Sequence, residues 1–242
     1  MNKRFFALDS IRGLALLNMI IYHALWDLVY IFEYNIPLFK SNAAFIWQQV
    51  ICQTFIFISG FCYSFGKHKF KRGLTVFLCG IIISAATFIV MPENLVLFGV
   101  LTLLGSCMLF FIPFEKYIEK VNSILGTTIS VILFIITFNI NYGNIGFAKI
   151  TFIELPKRWY CNLFTAYIGL PSDNFTSSDY FSIFPWLFLF SAGIFANKYF
   201  KENDLLKYLT KPHIKPLEWF GRHSLLIYIV HQPLIYFLLL FI

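Results

Sequence analysis

Charge is scarce in this chain. Charged residues make up 13% of its 242 positions, with 12 carboxylates against 19 lysines and arginines, while 59% of residues are hydrophobic and 20% aromatic. A soluble domain carries roughly a quarter charged residues, so this composition excludes one. Paired cysteines are also missing. Cys52, Cys62, Cys79, Cys107 and Cys161 form no CxxC pair and no even set outside the apolar runs, which excludes a disulfide framework and a zinc site. There is no internal repeat and no low-complexity tract. The first apolar run lacks a small-residue cleavage site and reads as a retained helix rather than a leader. No polar region is long enough for a nucleic-acid-binding domain, so the +7 net charge and pI near 9.1 are read as topological.

Long apolar runs are what the sequence has instead. A span needs about 20 mostly apolar residues, and seven runs qualify: roughly 6–30, 44–65, 73–91, 95–112, 122–140, 180–199 and 218–241. The expectation is an all-α integral membrane protein, one domain over 1–242 built as a polytopic bundle of seven helices. The third and fourth runs are separated only by Pro92-Glu93-Asn94 and form a helical hairpin. Residues 142–179 make the longest connection, a candidate lid with a candidate interfacial helix over 158–170.

Lysine and arginine placement predicts orientation. Lys3, Arg4, Lys67, Lys69, Lys71, Arg72, Lys116, Lys120, Lys198, Lys201, Lys207, Lys211 and Lys215 fall at one set of helix ends, against only Lys40, Lys149, Lys157 and Arg158 at the other. The N-terminus is therefore expected in the cytoplasm, in a multi-pass protein of the cytoplasmic membrane. Asn174-Phe175-Thr176 is a glycosylation triplet on the expected outer side.

Several ionisable residues interrupt the spans, where each costs at least a few kcal/mol and by default marks a site. In LDSIRGLALLNMIIYHALWD (8–27), Arg12 and His23 are eleven residues apart and return to nearly the same helix face, about 16 Å apart along the axis. Asp9 precedes Arg12 by three residues and Asp27 follows His23 by four, so the four form a polar seam. The last run repeats the pattern: Arg222 and His223 lie near its cytoplasmic end, and His231 and Gln232 come two to three turns later, before Pro233. Arginines thus share one depth and histidines another. Lys67 to Arg72, Lys69 included, would attract a polyanion from the cytoplasm. Asp179 and Trp186 at the start of the sixth run are further candidate site residues, although Asp179 could also cap that helix.

Residues 8–27 resemble the first helix of membrane acyltransferases, in which an arginine is followed by ten residues and a histidine. With FIFISGFCYS (55–64), LFGVLTLLGS (97–106), DYFSIFPWLFLFSAGI (179–194) and GRHSLLIYIVHQPL (221–234), nearly the whole chain is similar, in order, to the bacterial branch of the heparan-alpha-glucosaminide N-acetyltransferase catalytic domain family. The resemblance implies acetyl-coenzyme A as donor, taken from the cytoplasm, and a sugar or glycan amine or hydroxyl as acceptor on the far side. Arg12, Arg222, His223, Lys69 and Arg72 are then the coenzyme A phosphate ligands. His23 is the general base, oriented by Asp27 or Asp9, and His231 is the second candidate. Arg12, Arg222 or Gln232 would steady the thioester oxygen. Asp179, Gln232 and Trp186 would face the acceptor. No metal is expected, membrane lipid is the surrounding partner, and a homodimer is among the expected assemblies.

Two departures limit the resemblance. Thr102 stands where many bacterial relatives carry a histidine, and 41–44 (Ser-Asn-Ala-Ala) lacks the histidine that the heparan enzyme places entering its second helix. A heparan substrate is not carried over. The rivals are an acyltransferase family 3 enzyme, which usually has about ten spans, and a proton-coupled transporter, which would show internal symmetry.

Overall fold

The structure, a computed structural model, describes residues 4–211 and 214–241; Lys3, one of the orienting charges, lies outside them. It is mostly helical. The helices are α1 (Phe6–Tyr30), α2 (Asn42–Tyr63), α3 (Lys69–Val90), α4 (Val100–Phe111), α5 (Glu115–Ile118), α6 (Ser123–Ile136), α7 (Leu163–Ile168), α8 (Trp186–Glu202), α9 (Lys215–Arg222) and α10 (Ser224–Leu239), and one hairpin pairs β1 (Asn144–Phe147) with β2 (Ile150–Glu154).

Four stretches are long and apolar enough to cross a membrane: Phe6–Tyr30, Asn42–Tyr63, Lys69–Val90 and Ser123–Tyr142. The other three expected spans also contain helix, but α4, α8 and α10 have only 12, 17 and 16 residues. Each is shortened for an identifiable reason. Residues 95–98 are not helical, with Phe98 at a φ of +56°, and pair with 178–181, the Ser178 N–H donating to the Leu95 carbonyl at 3.0 Å and the Phe181 N–H to the Phe98 carbonyl at 2.8 Å. That pairing removes the start of both the fourth and the sixth expected run. At His223 the backbone leaves helical geometry (φ −99°, ψ 19°), which divides the last run into α9 and α10.

The chain forms two compact units, Met1–Ile58 with Phe200–Ile242, and Ser59–Tyr199. In the first, α1 packs along α9 with backbone against backbone. A Cβ on Gly13 would collide with the Leu217 carbonyl, and one on Gly221 with the Asp9 carbonyl. Small residues permit such approaches between apolar helices. The N-terminal part of α2 joins α1 through Trp47 Nε1, which donates to Asn18 Oδ1 at 3.0 Å.

In the second unit α3 and α4 form the hairpin that the Pro92-Glu93-Asn94 spacing predicts. A Cβ on Gly80 would sit 2.5 Å from Thr102 Oγ1, and one on Gly105 would enter the Phe77 backbone. The lysine-rich end of this unit is pinned by two cations. Lys198 Nζ donates to the carbonyls of Ile118, Glu119 and Val121 at 3.2, 2.7 and 2.6 Å. Lys69 Nζ lies 2.8 Å from Glu115 Oε1, which also accepts from the Tyr63 hydroxyl at 2.7 Å.

At the opposite end residues 137–185 fold into a cap. Its hub is Asn141, whose Nδ2 lies 3.1 Å from the Gly169 carbonyl and 2.9 Å from Ser182 Oγ. Tyr160 donates its hydroxyl to the Ile140 carbonyl at 2.7 Å, and Tyr167 meets Ser106 of α4 at 2.5 Å. The expected interfacial helix contracts to α7, started by an Asn162–Thr165 capping box and stopped at Gly169, whose φ of +129° suits glycine. Gly105→Val should force α3 and α4 apart and cost about 1–3 kcal/mol. A melt in detergent should show this as a transition several degrees lower, and an unchanged midpoint would mean that the hairpin does not depend on this approach.

Candidate active site

The polar seam of α1 lies in the first unit and has two ends. At the first, Asp9 occupies the opening turn of the helix, where a carboxylate complements the exposed N–H groups. It pairs with Arg12 one turn on (3.5 Å), and both Nε and Nη2 of Arg4 lie 3.1 Å from its Oδ2. Arg12 Nη1 also donates to the Gly221 carbonyl at 3.3 Å, at the end of α9. Beside that carbonyl, Arg222 donates Nε–H to the Glu218 carbonyl at 3.2 Å, and the exposed His223 ring lies 4.7 Å from that of Trp219. Arg4, Arg12 and Arg222 stand at this end against two carboxylates, Asp9 and the buried Glu218, so it keeps net positive charge.

About 16 Å further along α1, His23 meets His231 of α10, ring centroids 5.1 Å apart at 61°. One turn beyond, Gln232 Nε2 donates to Asp27 Oδ1 at 2.7 Å. His23 with His231, Asp27 with Gln232 and Phe32 with Tyr236 ascend together, so α10 runs parallel to α1, whereas α9, which sets Leu217 against Gly13 and Gly221 against Asp9, runs antiparallel to it. Of the arginines and histidines that the sequence places at matching depths on the first and last runs, the two histidine rings face each other, while Arg222 lies on α9 and bonds back to the Glu218 carbonyl.

The second end is rich in unmet acceptors. His231 is 7% exposed and Asp27 0%. His231 Nδ1 lies 2.5 Å from the Tyr228 carbonyl. A carbonyl can only accept, so Nδ1 carries the hydrogen and the lone pair resides on Nε2. That Nε2, Asp27 Oδ2 and Gln232 Oε1 have no partner among the described residues. Buried polar atoms normally find one, so this cluster suits a group that brings N–H or O–H hydrogens. None of the described residues hydrogen-bonds the His23 ring, whose contacts are with the rings of Tyr22 and His231. The four-residue spacing to Asp27 does not produce a His23–Asp27 bond; Asp27 is bonded through Oδ1 to Gln232 instead.

Lys69, Arg72, Asp179 and Trp186 belong to the second unit. Lys69 is held by Glu115; burial raises that carboxyl, but hydrogen bonds from Lys69 and Tyr63 and the charge of Lys69 outweigh it and hold it below the ordinary range. Arg72 reaches back toward the loop before α3, 3.5 Å from where a Cβ on Gly66 would stand. Asp179 caps no helix of its own. Its Oδ2 lies 3.2 Å from where a Cβ on Gly99, the N-cap of α4, would stand, a position that favours the α4 dipole. Trp186 is buried against Phe134, Phe138 and Phe181. Thr102 is buried at the Gly80 approach. Among the described residues no group of three His, Cys, Asp or Glu is arranged to hold a metal.

Two participants escaped the sequence reading. Arg4 sits five residues before Asp9 and ahead of the helix, so no helical spacing signals their pairing. Tyr228 acts through its backbone carbonyl, which side-chain patterns do not reveal.

Asp27→Leu and Gln232→Leu should each leave a buried polar partner stranded, at about 1–3 kcal/mol. Thermal melts of the single and double variants should show a coupling of about 0.5–3 kcal/mol; strict additivity would mean that the 2.7 Å bond contributes nothing.

No functionally curated protein and no solved structure matches the chain. The model of the family described as heparan-alpha-glucosaminide N-acetyltransferase, catalytic, matches residues 4–233. With its membrane-length helices and nearly its whole sequence inside that match, the chain belongs to the heparan-alpha-glucosaminide N-acetyltransferase catalytic domain family.

Proposed function

We propose that this membrane protein is a multi-pass acetyltransferase of the cell membrane that takes acetyl groups from acetyl-coenzyme A in the cytoplasm and delivers them to an amine or hydroxyl of a sugar or glycan on the other side. The observation that carries this reading is the alignment on α1 and its parallel neighbour. A cationic cluster lies at one depth and an imidazole pair about 16 Å deeper. Phosphates of coenzyme A suit the first, through Arg12, Arg4 and Arg222, since guanidinium forks match phosphate oxygens. The thiol arm of coenzyme A is long enough to carry a thioester toward the second.

Chemistry at the imidazole pair is acyl transfer. The acceptor nitrogen or oxygen attacks the thioester carbonyl, the C–S bond breaks, and the acceptor's proton passes to an imidazole and on to the departing thiolate. His23, with a ring that no described residue hydrogen-bonds, is the base that meets the acceptor. His231, fixed with its lone pair on Nε2, is the neighbouring base. Gln232 and Asp27 hold the acceptor through their unmet oxygens. Lys69 and Arg72 add positive charge at the lysine-rich end of the second unit. Asp179 and Trp186 remain the second unit's candidate acceptor residues, the packing of Trp186 against three phenylalanines favouring a supporting role for its ring. The departures at Thr102 and at 41–44 leave the heparan substrate itself outside the proposal.

His23→Ala should reduce turnover of acetyl-coenzyme A with amino-sugar and cell-envelope glycan acceptors by about 10²–10⁴-fold, with the melting profile retained. Full turnover by a folded variant would remove His23 from the mechanism. Arg12→Gln should weaken coenzyme A binding about tenfold or more, the worth of a charge-assisted hydrogen bond, and leave the acceptor KM nearly unchanged. Calorimetry showing equal coenzyme A affinity would overturn the phosphate assignment.

A further inference from the structure

The cap carries a feature that acyl transfer does not use. Every residue of β2 is exposed, and Ile150, Phe152 and Ile153 are each about 60% exposed (60%, 59% and 58%). The register explains part of this. Ile145 pairs with Ile153 and Gly146 with Thr151, so Phe152 is an extra residue bulged out of the ladder. Apolar side chains are thus left uncovered along a ribbon of only two strands, which has no further sheet among the described residues to cover it. Such a ribbon is at best marginally stable in water.

Its root is firm. Asn139, just beyond α6, donates its N–H to the Gly146 carbonyl at 3.4 Å and its Nδ2–H to the Ala148 carbonyl at 2.9 Å. The Leu155 N–H closes the base on the Gly143 carbonyl at 2.8 Å, and the Phe138 and Phe147 rings meet at 5.7 Å. The ribbon thus continues directly from the C-terminal end of a stretch long and apolar enough to cross a bilayer, whose own isoleucines, Ile124 and Ile132 among them, are exposed along its length. Exposed Lys149, Lys157 and Arg158 surround the ribbon against a single carboxylate, Glu154, and Trp159 is half exposed beside them. Apolar and aromatic side chains ringed by cations are the composition of a segment lying in a lipid interface.

We propose that the β1–β2 hairpin is a membrane-surface anchor. It lies in the leaflet next to the C-terminal end of α6, with Ile150, Phe152 and Ile153 at the boundary of headgroups and acyl chains and Lys149, Lys157 and Arg158 at the lipid phosphates. The charge pattern selects lipid over a second copy of the chain, because two such ribbons would bring their cations together, whereas anionic headgroups complement them. The anchor fixes the cap relative to the bilayer, so that an acceptor reaches the protein at the lipid surface. This inference is independent of which acyl group is transferred.

The test is a nitroxide at Phe152→Cys in a Cys161→Ser background, with the full chain reconstituted in phosphatidylcholine vesicles containing phosphatidylglycerol. The Cys161→Ser protein supplies the background signal, and a nitroxide at Ile132→Cys reports on α6. Power saturation should show collisions with oxygen exceeding those with a water-soluble nickel chelate several-fold at both positions. Adding Lys157→Glu and Arg158→Glu should reduce that excess at 152 and leave it unchanged at 132. A water-like ratio at 152 overturns the anchor, whether or not 132 behaves as lipid-exposed. Exclusion of both reagents at 152 with dipolar broadening between labels would identify a second copy as the occupant and overturn it equally.

Discussion

The reciprocal approach of α1 and α9 is the constraint on which the first unit depends. Gly13 accepts the Leu217 carbonyl and Gly221 accepts the Asp9 carbonyl, so each helix supplies the gap that the other fills. No longer side chain could stand at either position without separating the backbones. That contact brings the Gly221 carbonyl within reach of Arg12 and sets the height at which α10 begins. With α10 parallel to α1, His231 meets His23, and the next residue, Gln232, reaches Asp27 one turn further along α1. A crossing displaced by one turn, about 5.4 Å, would separate both pairs.

The second unit is held differently. Its lysine-rich end relies on charge-assisted bonds, Lys69 to Glu115 and Lys198 to three carbonyls, which bridge places where helices stop and leave backbone groups unmatched. Its other end is held by hydrogen bonds between neutral groups: amide and hydroxyl side chains of Asn141, Tyr160, Tyr167 and Ser182 tie the cap to itself and to α4. The long connection that composition suggests as a lid is therefore a built structure with its own hairpin, capping box and hub.

Much of this was legible in the residues. Helix at all seven apolar runs, the tight turn at Pro92, and the shared depth of arginines and histidines on the first and last runs follow from apolar run length and from helical spacing. The shortening of α4, α8 and α10 was not legible. It arises from residues 95–98 pairing with 178–181, a long-range backbone match, and from a break at His223 with neither proline nor glycine at the breaking residue. Within the site, the Asp9–Arg12 pair is an i,i+3 contact that spacing reveals, while the Asp27–Gln232 bond joins residues 205 positions apart. Local periodicity tells which side chains share a face; it does not tell which of them a neighbouring helix will claim.

Lys198 illustrates how one side chain can serve twice. In the sequence its ammonium counts among the lysines and arginines whose placement predicts an orientation. In the folded chain the same ammonium donates to the carbonyls of Ile118, Glu119 and Val121. The charge that a topology argument reads and the hydrogens that join two helix ends thus reside on one atom.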